Sequence, residues 1–172
     1  MITIGASYRH AARRAAFFVW SLMIYIPATK NAKQIGEWAE LQFMAKAAAH
    51  GLRVAKTWGD SARYDVVVEA GGRLLRVQVK STRYRNPSGG YVCGVHPNAG
   101  GRPYNRRQFD FLAAYVIPQD VWYIIPSRRI LKGRMGFIVL SPTKPKHKYR
   151  RYKEAWHLLT RTTVRPKRAI LL

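Results

Sequence analysis

Residues 64–80 read YDVVVEAGGRLLRVQVK, and the fold follows from how this stretch doubles back on itself. Gly71-Gly72 separates two alternating runs rich in β-branched residues, the pattern of a hairpin with a two-residue turn. Residues whose numbers sum to 143 then face each other, so Val66 meets Val77, Val68 meets Leu75 and Asp65 meets Gln78. Alternation places Val66, Val68, Leu75, Val77 and Val79 on a core face and Asp65, Val67, Arg76, Gln78 and Lys80 on the other. Directly opposed Cβ atoms lie about 5 Å apart. A carboxylate, an amide and an ammonium that close can hold a divalent metal, a water and a phosphate.

Upstream, Asn31 can cap a helix with Gln34 in its first turn, ending before Gly51. Trp38, Leu41, Ala45 and Ala48 recur at helical spacing and are expected to face the core. Glu37 and Glu40, three apart, share a neighbouring face. Residues 52–57 read as a strand, followed by the Trp58-Gly59-Asp60-Ser61 loop. Beyond Lys80 come a loop at Asn86-Pro87-Ser88-Gly89-Gly90, a short strand at 91–95, and a second Gly/Pro-rich loop at 96–103. Strands at 111–117 and 121–125 join through Pro118-Gln119-Asp120, and a strand at 137–140 and a short helix at 152–159 complete the order. The fold class expected is α/β (α+β): a mixed β-sheet with an N-terminal helix and a basic C-terminal helical end, without internal repeats or a clear second domain.

A chain of 172 residues, 48% of them hydrophobic, suits one domain with its own core. Its 31 Lys and Arg against 8 Asp and Glu give a net charge of +23, a field that favours polyanions. From Ser127 onward fourteen basic residues meet one acid, Glu154, and are interleaved with Tyr149, Tyr152, Trp156 and prolines rather than with a long apolar run. Nucleic acid fits this distribution better than an acidic membrane. Five of the eight acids nevertheless crowd between Glu37 and Glu69, an arrangement that metal binding explains. The lone Cys93 excludes an internal disulfide framework and a Cys-rich zinc site, and is read as a small strand residue. The five histidines show no metal-ligand spacing.

At the start, Arg9-His10-Ala11-Ala12-Arg13-Arg14 precedes the mostly apolar residues 15–26, in the manner of a signal peptide. The run falls short of the roughly 20 apolar residues of a membrane span, and Ile26-Pro27-Ala28 is a poor cleavage site. Residues 1–28 are therefore expected to be an extension: a start assigned too early, with Met23 as the alternative, an added helix, or an export segment. A domain is expected over 29–160 and a basic tail over 161–172, with no stable membrane association and a cytoplasmic location.

The Glu helix and the hairpin together resemble the PD-(D/E)XK nuclease superfamily, in which Asp, a second acid and Lys sit on adjoining strands. Here Glu40 lies on the helix, Asp65 opens the first strand, and Gln78-Val79-Lys80 lies on the second. Gln78 replaces the second acid, a Q-x-K variant similar to the branch that includes group I intron-encoded homing endonucleases. Gly36-Glu37-Trp38-Ala39-Glu40-Leu41, Tyr64-Asp65, Val77-Gln78-Val79-Lys80-Ser81-Thr82, Asp110-Phe111 through Ala114-Tyr115-Val116, and Trp122-Tyr123-Ile124-Ile125-Pro126 carry the resemblance, which spans residues 33–159.

The resemblance implies a restriction-endonuclease-like core and Mg²⁺-dependent hydrolysis of DNA phosphodiesters, with Mn²⁺ able to substitute. With the hairpin geometry it implies Asp65 as principal metal ligand, the Val79 carbonyl and the Gln78 side-chain oxygen nearby, and Glu40 binding through water or completing the shell. Lys80 is to orient the attacking water and offset charge on the pentavalent transition state. Losing one acid at Gln78 weakens the attraction for a cation. Each residue also has a plainer reading: Glu40 a solvated helix residue, Asp65 a strand opener, Lys80 and Gln78 exposed strand residues. Glu69 is read as solvated, Asp110 as fixing a turn or pairing with Arg106 or Arg107, and Ser81 and Thr82 as possible phosphate donors.

DNA contacts are expected from Arg83, Arg85, Arg102, Arg106 and Arg107 in loops beside the site, and from Lys144, Lys146, Lys148, Arg150 and Arg151. Three functions compete: a homing-type, junction-resolving or restriction-like DNA endonuclease, a non-catalytic nucleic-acid-binding module keeping the same fold, and an unrelated RNA-binding protein. Cutting both strands of a duplex suggests a homo-oligomer, a dimer or tetramer, with the aromatic strands between Phe111 and Tyr123 available either for an interface or for core packing.

Overall fold

The computed structural model describes residues 31–59, 61–87, 89–96, 104, 108–130 and 136–160. The expectations for residues 1–28 and 161–172, and for Arg102, Arg106 and Arg107, lie outside these. Helix α1 (Ala32–Ala49) opens on Asn31, whose side-chain oxygen accepts the Lys33 and Gln34 backbone N–H groups at 2.9 and 3.4 Å. It ends at His50 and Gly51, the glycine taking the left-handed conformation that terminates a helix. Its core face is Ile35, Ala39, Phe43 and Ala47, which corrects the expected stripe. Trp38 is half-buried, Leu41 is 58% exposed, and Ala45 and Ala48 are exposed. A helix this rich in alanine buries whichever face carries the bulky side chains in register with the sheet, and those are Ile35 and Phe43.

Five strands form a mixed sheet in the order β1 (Arg53–Lys56), β2 (Val66–Ala70), β3 (Arg73–Thr82), β5 (Phe111–Val116), β6 (Val121–Pro126). Neighbours are antiparallel except β3 and β5, which run parallel. Between those two the chain leaves the sheet and forms β4 (Tyr91–Gly94), which pairs with β7 (Phe137–Leu140) as a second, two-stranded sheet. The hairpin register is the expected one, with Val66 opposite Val77 and Val68 opposite Leu75. Gly71 and Gly72 both have positive φ, 54° and 75°, the requirement of a turn that matches the strand twist.

The two faces of the sheet are buried unequally. Val66, Val68, Val77, Val79, Ala113, Tyr115, Trp122 and Ile124 pack with α1, Trp156 and Leu159. On the opposite face Leu112, Ala114, Val116, Tyr123 and Ile125 pack with the second sheet and with Tyr149 and Tyr152. Strands β5 and β6 are thus covered on both sides and read as continuous apolar runs, whereas β2 and β3 alternate. The Tyr115 and Trp122 rings stack at 4.3 Å, and Phe43 lies 5.6 Å from both Trp122 and Trp156. The aromatic strands belong to the core.

After a single turn, α2 (Ser127–Ile130), the chain returns to cover the edge of β6. The helix expected over 152–159 is broken into a 3-10 turn (Arg150–Tyr152) and α3 (His157–Thr160). Glu154, with φ at 48°, interrupts them. It is held there because its carboxylate accepts the Trp122 N–H at 2.7 Å and the Trp156 indole N–H at 2.8 Å, while its own N–H donates to the Trp122 carbonyl. Asp110 is expected to fix a turn or to pair with Arg106 or Arg107, which lie outside the described residues; among the described residues its side chain pairs with Arg76. It accepts from the Arg76 backbone N–H at 2.8 Å and from the guanidinium at 3.2 and 3.1 Å, and its N–H returns a bond to the Arg76 carbonyl. These bonds lock the start of the parallel β3–β5 pair.

Burial pushes the Asp110 carboxyl up, but the hydrogen bonds and charge of Arg76 outweigh that and hold it below the ordinary carboxylate value. A depressed carboxylate stabilises the fold above its unfolded pKa and loses that contribution as pH falls through the folded one. Asp110→Ala is therefore expected to cost about 1–2 kcal/mol at pH 7, measured by urea unfolding. The deficit relative to wild type should narrow as pH drops below 3.8. A pH-independent deficit would show that the Asp110 charge is not what holds the strands.

Candidate active site

Asp65 stands at the entrance of β2 with its backbone tied on both sides. Its N–H donates to the Val77 carbonyl at 2.9 Å, and its carbonyl accepts the Thr57 N–H at 3.2 Å and the Thr57 hydroxyl at 3.3 Å. The side chain turns onto β3, where Oδ2 accepts the Val79 N–H at 2.7 Å and the Gln78 amide Nε2 at 2.5 Å. Among the described residues none donates to Oδ1. The hairpin brings the two side chains together, although Asp65 lies just before the paired residues of β2 and its backbone bonds Val77.

Gln78 is 5% exposed and directs its N–H, not its oxygen, to Asp65. The expected ligand oxygen of Gln78 is therefore turned away, because an ionised carboxylate accepts and cannot donate. Nε2 also approaches the Val79 carbonyl, at 3.5 Å. Lys80, half-buried, follows two residues along the same face of β3.

Glu40 reaches the site from α1 and is not free. Its Oε2 lies 2.9 Å from Lys56 Nζ, with the Glu40 side chain only 18% exposed. Lys56 was not among the residues singled out from the sequence. Extending the strand register to β1 would have found it, since Lys56 pairs with Val66 and so shares its face, the one beneath α1.

Burial pushes the Asp65 carboxyl up to about 6; the Val79 N–H bond opposes this, Glu40 adds to it, and Lys80 and Lys56 act against it. The bond to Glu40 holds Lys56 above its ordinary value, burial acting in the opposite sense. Tyr104, edge-on to Phe109 at 5.2 Å, is a further neighbour that the sequence did not flag. Burial first, then the Asp65 charge, pushes its phenol to about 12, so it stays protonated at neutral pH. Cys93 is buried with its thiol pushed up to about 12, which makes it inert as a nucleophile.

Around this centre Arg83 and Arg85 are exposed just past β3, flanking Tyr84, which is 66% exposed. Lys144, Lys146, Lys148, Arg150 and Arg151 are also exposed, with Arg150 and Lys153 donating to the Pro142 carbonyl at 3.3 and 3.1 Å. Thr82 corrects its expected role: buried, it donates to the Val92 carbonyl at 2.6 Å, linking the two sheets. Glu69 is exposed, 3.6 Å from Arg53. Among the described residues no three His, Cys, Asp or Glu cluster as metal ligands. The available donors are carboxylate and carbonyl oxygens, a set that suits a hard, partly hydrated divalent cation. No helix among the described residues is long and apolar enough to cross a membrane.

The PD-(D/E)XK endonuclease family model matches residues 30–159. A solved structure, described as that of a bacterial homing endonuclease, I-Ssp6803I, is similar to the chain with 31% identity and a TM-score of 0.66. The match covers 75% of this chain and 93% of that one. No curated protein matches. The chain belongs to the PD-(D/E)XK endonuclease family, with the restriction-endonuclease-like fold expected for it and similarity to a homing-type member. It is accordingly a nuclease acting on DNA, in a family that generally uses divalent metal ions.

A carboxylate whose folded pKa is raised costs stability above its unfolded pKa, and the cost is complete above the folded one. Asp65→Asn can keep the Val79 and Gln78 bonds while removing the charge. In EDTA the variant is expected to gain on wild type as pH rises from 3.8 through about 6, by on the order of 2 kcal/mol at pH 8. Thermal unfolding across that pH range measures it, and a difference that does not change with pH would contradict the buried-charge account.

Proposed function

We propose that the protein is a divalent-metal-dependent DNA endonuclease of the homing type, working at Asp65, Gln78, Val79, Lys80 and Glu40. The observation that supports this most is the Asp65 carboxylate, fixed at Oδ2 by two N–H donors and with no donor to Oδ1 among the described residues, on the strand pair that carries Lys80. Asp65 and the Val79 carbonyl are the primary cation ligands, with Glu40 acting directly or through water. Gln78 orients Asp65 and can offer its own oxygen only by turning its amide over. When bound, Mg²⁺ or Mn²⁺ supplies charge neutralisation at the phosphoryl oxygens and makes water more acidic. The Lys80 ammonium orients the attacking water and offsets charge that develops on the phosphate. Tyr104, protonated, can donate to a phosphate oxygen but cannot serve as a base at neutral pH.

The field of +23 brings DNA to this centre. Arg83 and Arg85 contact its backbone beside the cut, and the exposed Lys144, Lys146, Lys148, Arg150 and Arg151 contact it further away. The domain occupies residues 29–160, and cutting both strands of a duplex brings two or more copies together. One observation favours the non-catalytic binding module: Glu40 and Asp65 are faced by Lys56 and Lys80, whose positive charges oppose entry of a cation.

The deciding experiment is selection of cut sites from a randomised duplex library, alongside a branched DNA, with Mg²⁺, Mn²⁺ or EDTA. Cation-dependent cleavage is expected, reduced at least ~100-fold by Asp65→Asn and by Lys80→Met, with DNA binding retained. Cleavage in EDTA or undiminished cleavage by both variants would reject the site. Tight binding with no cut in either substrate would establish the binding module instead. Arg83→Ala and Arg85→Ala should each weaken binding on all sequences and lower the salt slope by about 1, which a filter-binding titration across salt concentrations reads out.

A further inference from the structure

Lys56 is the charged neighbour of the centre whose position calls for an explanation. It ends β1 opposite Val66, on the face covered by α1, and its ammonium meets Glu40 at 2.9 Å. The Glu40 side chain is 18% exposed and that of Lys56 42%, so the pair is partly withdrawn from water on the carboxylate side. It differs in this from the Arg53–Glu69 pair at the other end of the same strand, 3.6 Å apart with side chains 84% and 43% exposed. Lys56 also acts through its charge on Asp65. A cation that used the Glu40 carboxylate would meet the ammonium already on it.

We propose that Lys56 is a positioning residue that holds Glu40 in the cation-free protein and competes with the divalent cation for it, passing to a DNA phosphate once displaced. This rests on the reading of Asp65 and Glu40 as cation ligands. With DNA present the ammonium exchanges one anion for another; without DNA a cation that takes Glu40 leaves Lys56 without its ion-pair partner. Because binding free energies are reciprocal, DNA that draws Lys56 away eases entry of the cation, and the cation eases engagement of DNA. Cation binding in the absence of DNA is thereby kept weak.

The test uses Ca²⁺ alone as the probe, titrated calorimetrically into the DNA-free full chain, with circular dichroism confirming that every variant is folded. Lys56→Met is expected to bind Ca²⁺ about tenfold more tightly than wild type, and Lys56→Arg, which keeps the cationic partner, to stay within about twofold. The gain in Lys56→Met should vanish when Glu40→Gln is also present, the signature of a direct pair rather than of the general field. No gain, or an equal gain in the Glu40→Gln background, overturns the proposal. Asp65→Asn separates the two levels: if it binds Ca²⁺ as wild type does, the ligand assignment fails and this inference with it. If it loses Ca²⁺ while Lys56→Met behaves as wild type, the role of Lys56 alone is refuted.

Discussion

Everything at the centre depends on two consecutive residues with positive φ. Gly71 and Gly72 close the β2–β3 hairpin in a conformation that side chains resist, and the turn sets which residue stands opposite which. With that register Asp65 reaches the Val79 N–H and the Gln78 amide, and Val66, Val68, Val77 and Val79 all fall on the α1 face. A slip of one residue would exchange the two faces along the whole strand. Core and chemistry are thus specified by one turn, and neither can be re-registered without the other.

The same sheet explains why the polar centre lies where it does. Strands β5 and β6 are packed on both faces, and an unpaired carboxylate among those side chains would carry a large desolvation cost. Strands β2 and β3 have one apolar face and one polar face, so a partly buried carboxylate can be held there by backbone donors and approached by lysines. The high pKa of Asp65 records what that burial costs, and the Arg76–Asp110 lock records part of what offsets it.

Features set by local chemistry were legible in the sequence: the Asn31 cap, the Gly71-Gly72 turn and its register, the apolar strands, and the union of Asp65 with Gln78. Those that were missed depend on partners remote in the chain. Alanines on several sides of α1 left its buried face ambiguous until the sheet selected Ile35 and Phe43. Asp110 meets Arg76 only because β3 and β5 align in parallel, which no nearby residue announces. Glu154 breaks the terminal helix by taking a left-handed conformation uncommon outside glycine, held by two indole-bearing residues. Lys56 is not legible from its own neighbourhood because its place beneath α1 follows only from the pairing of β1 with β2. The sequence placed Gln78 beside Asp65 with its oxygen toward a metal, whereas its amide N–H donates to the carboxylate.

The covered edge of β6 has a consequence for how copies of this chain can meet. Glu154 donates to the Trp122 carbonyl and accepts from its N–H, and Tyr123 bridges to Lys153, so the outer rim of that strand is already engaged at Trp122 by Lys153 and Glu154 of the same chain. At the opposite rim, β1 is four residues long and carries Arg53 and Lys56, so an antiparallel copy would bring like charges into opposition. Strand-to-strand continuation of the five-stranded sheet is obstructed on both flanks. Such obstruction works against growth of this sheet into an open fibre.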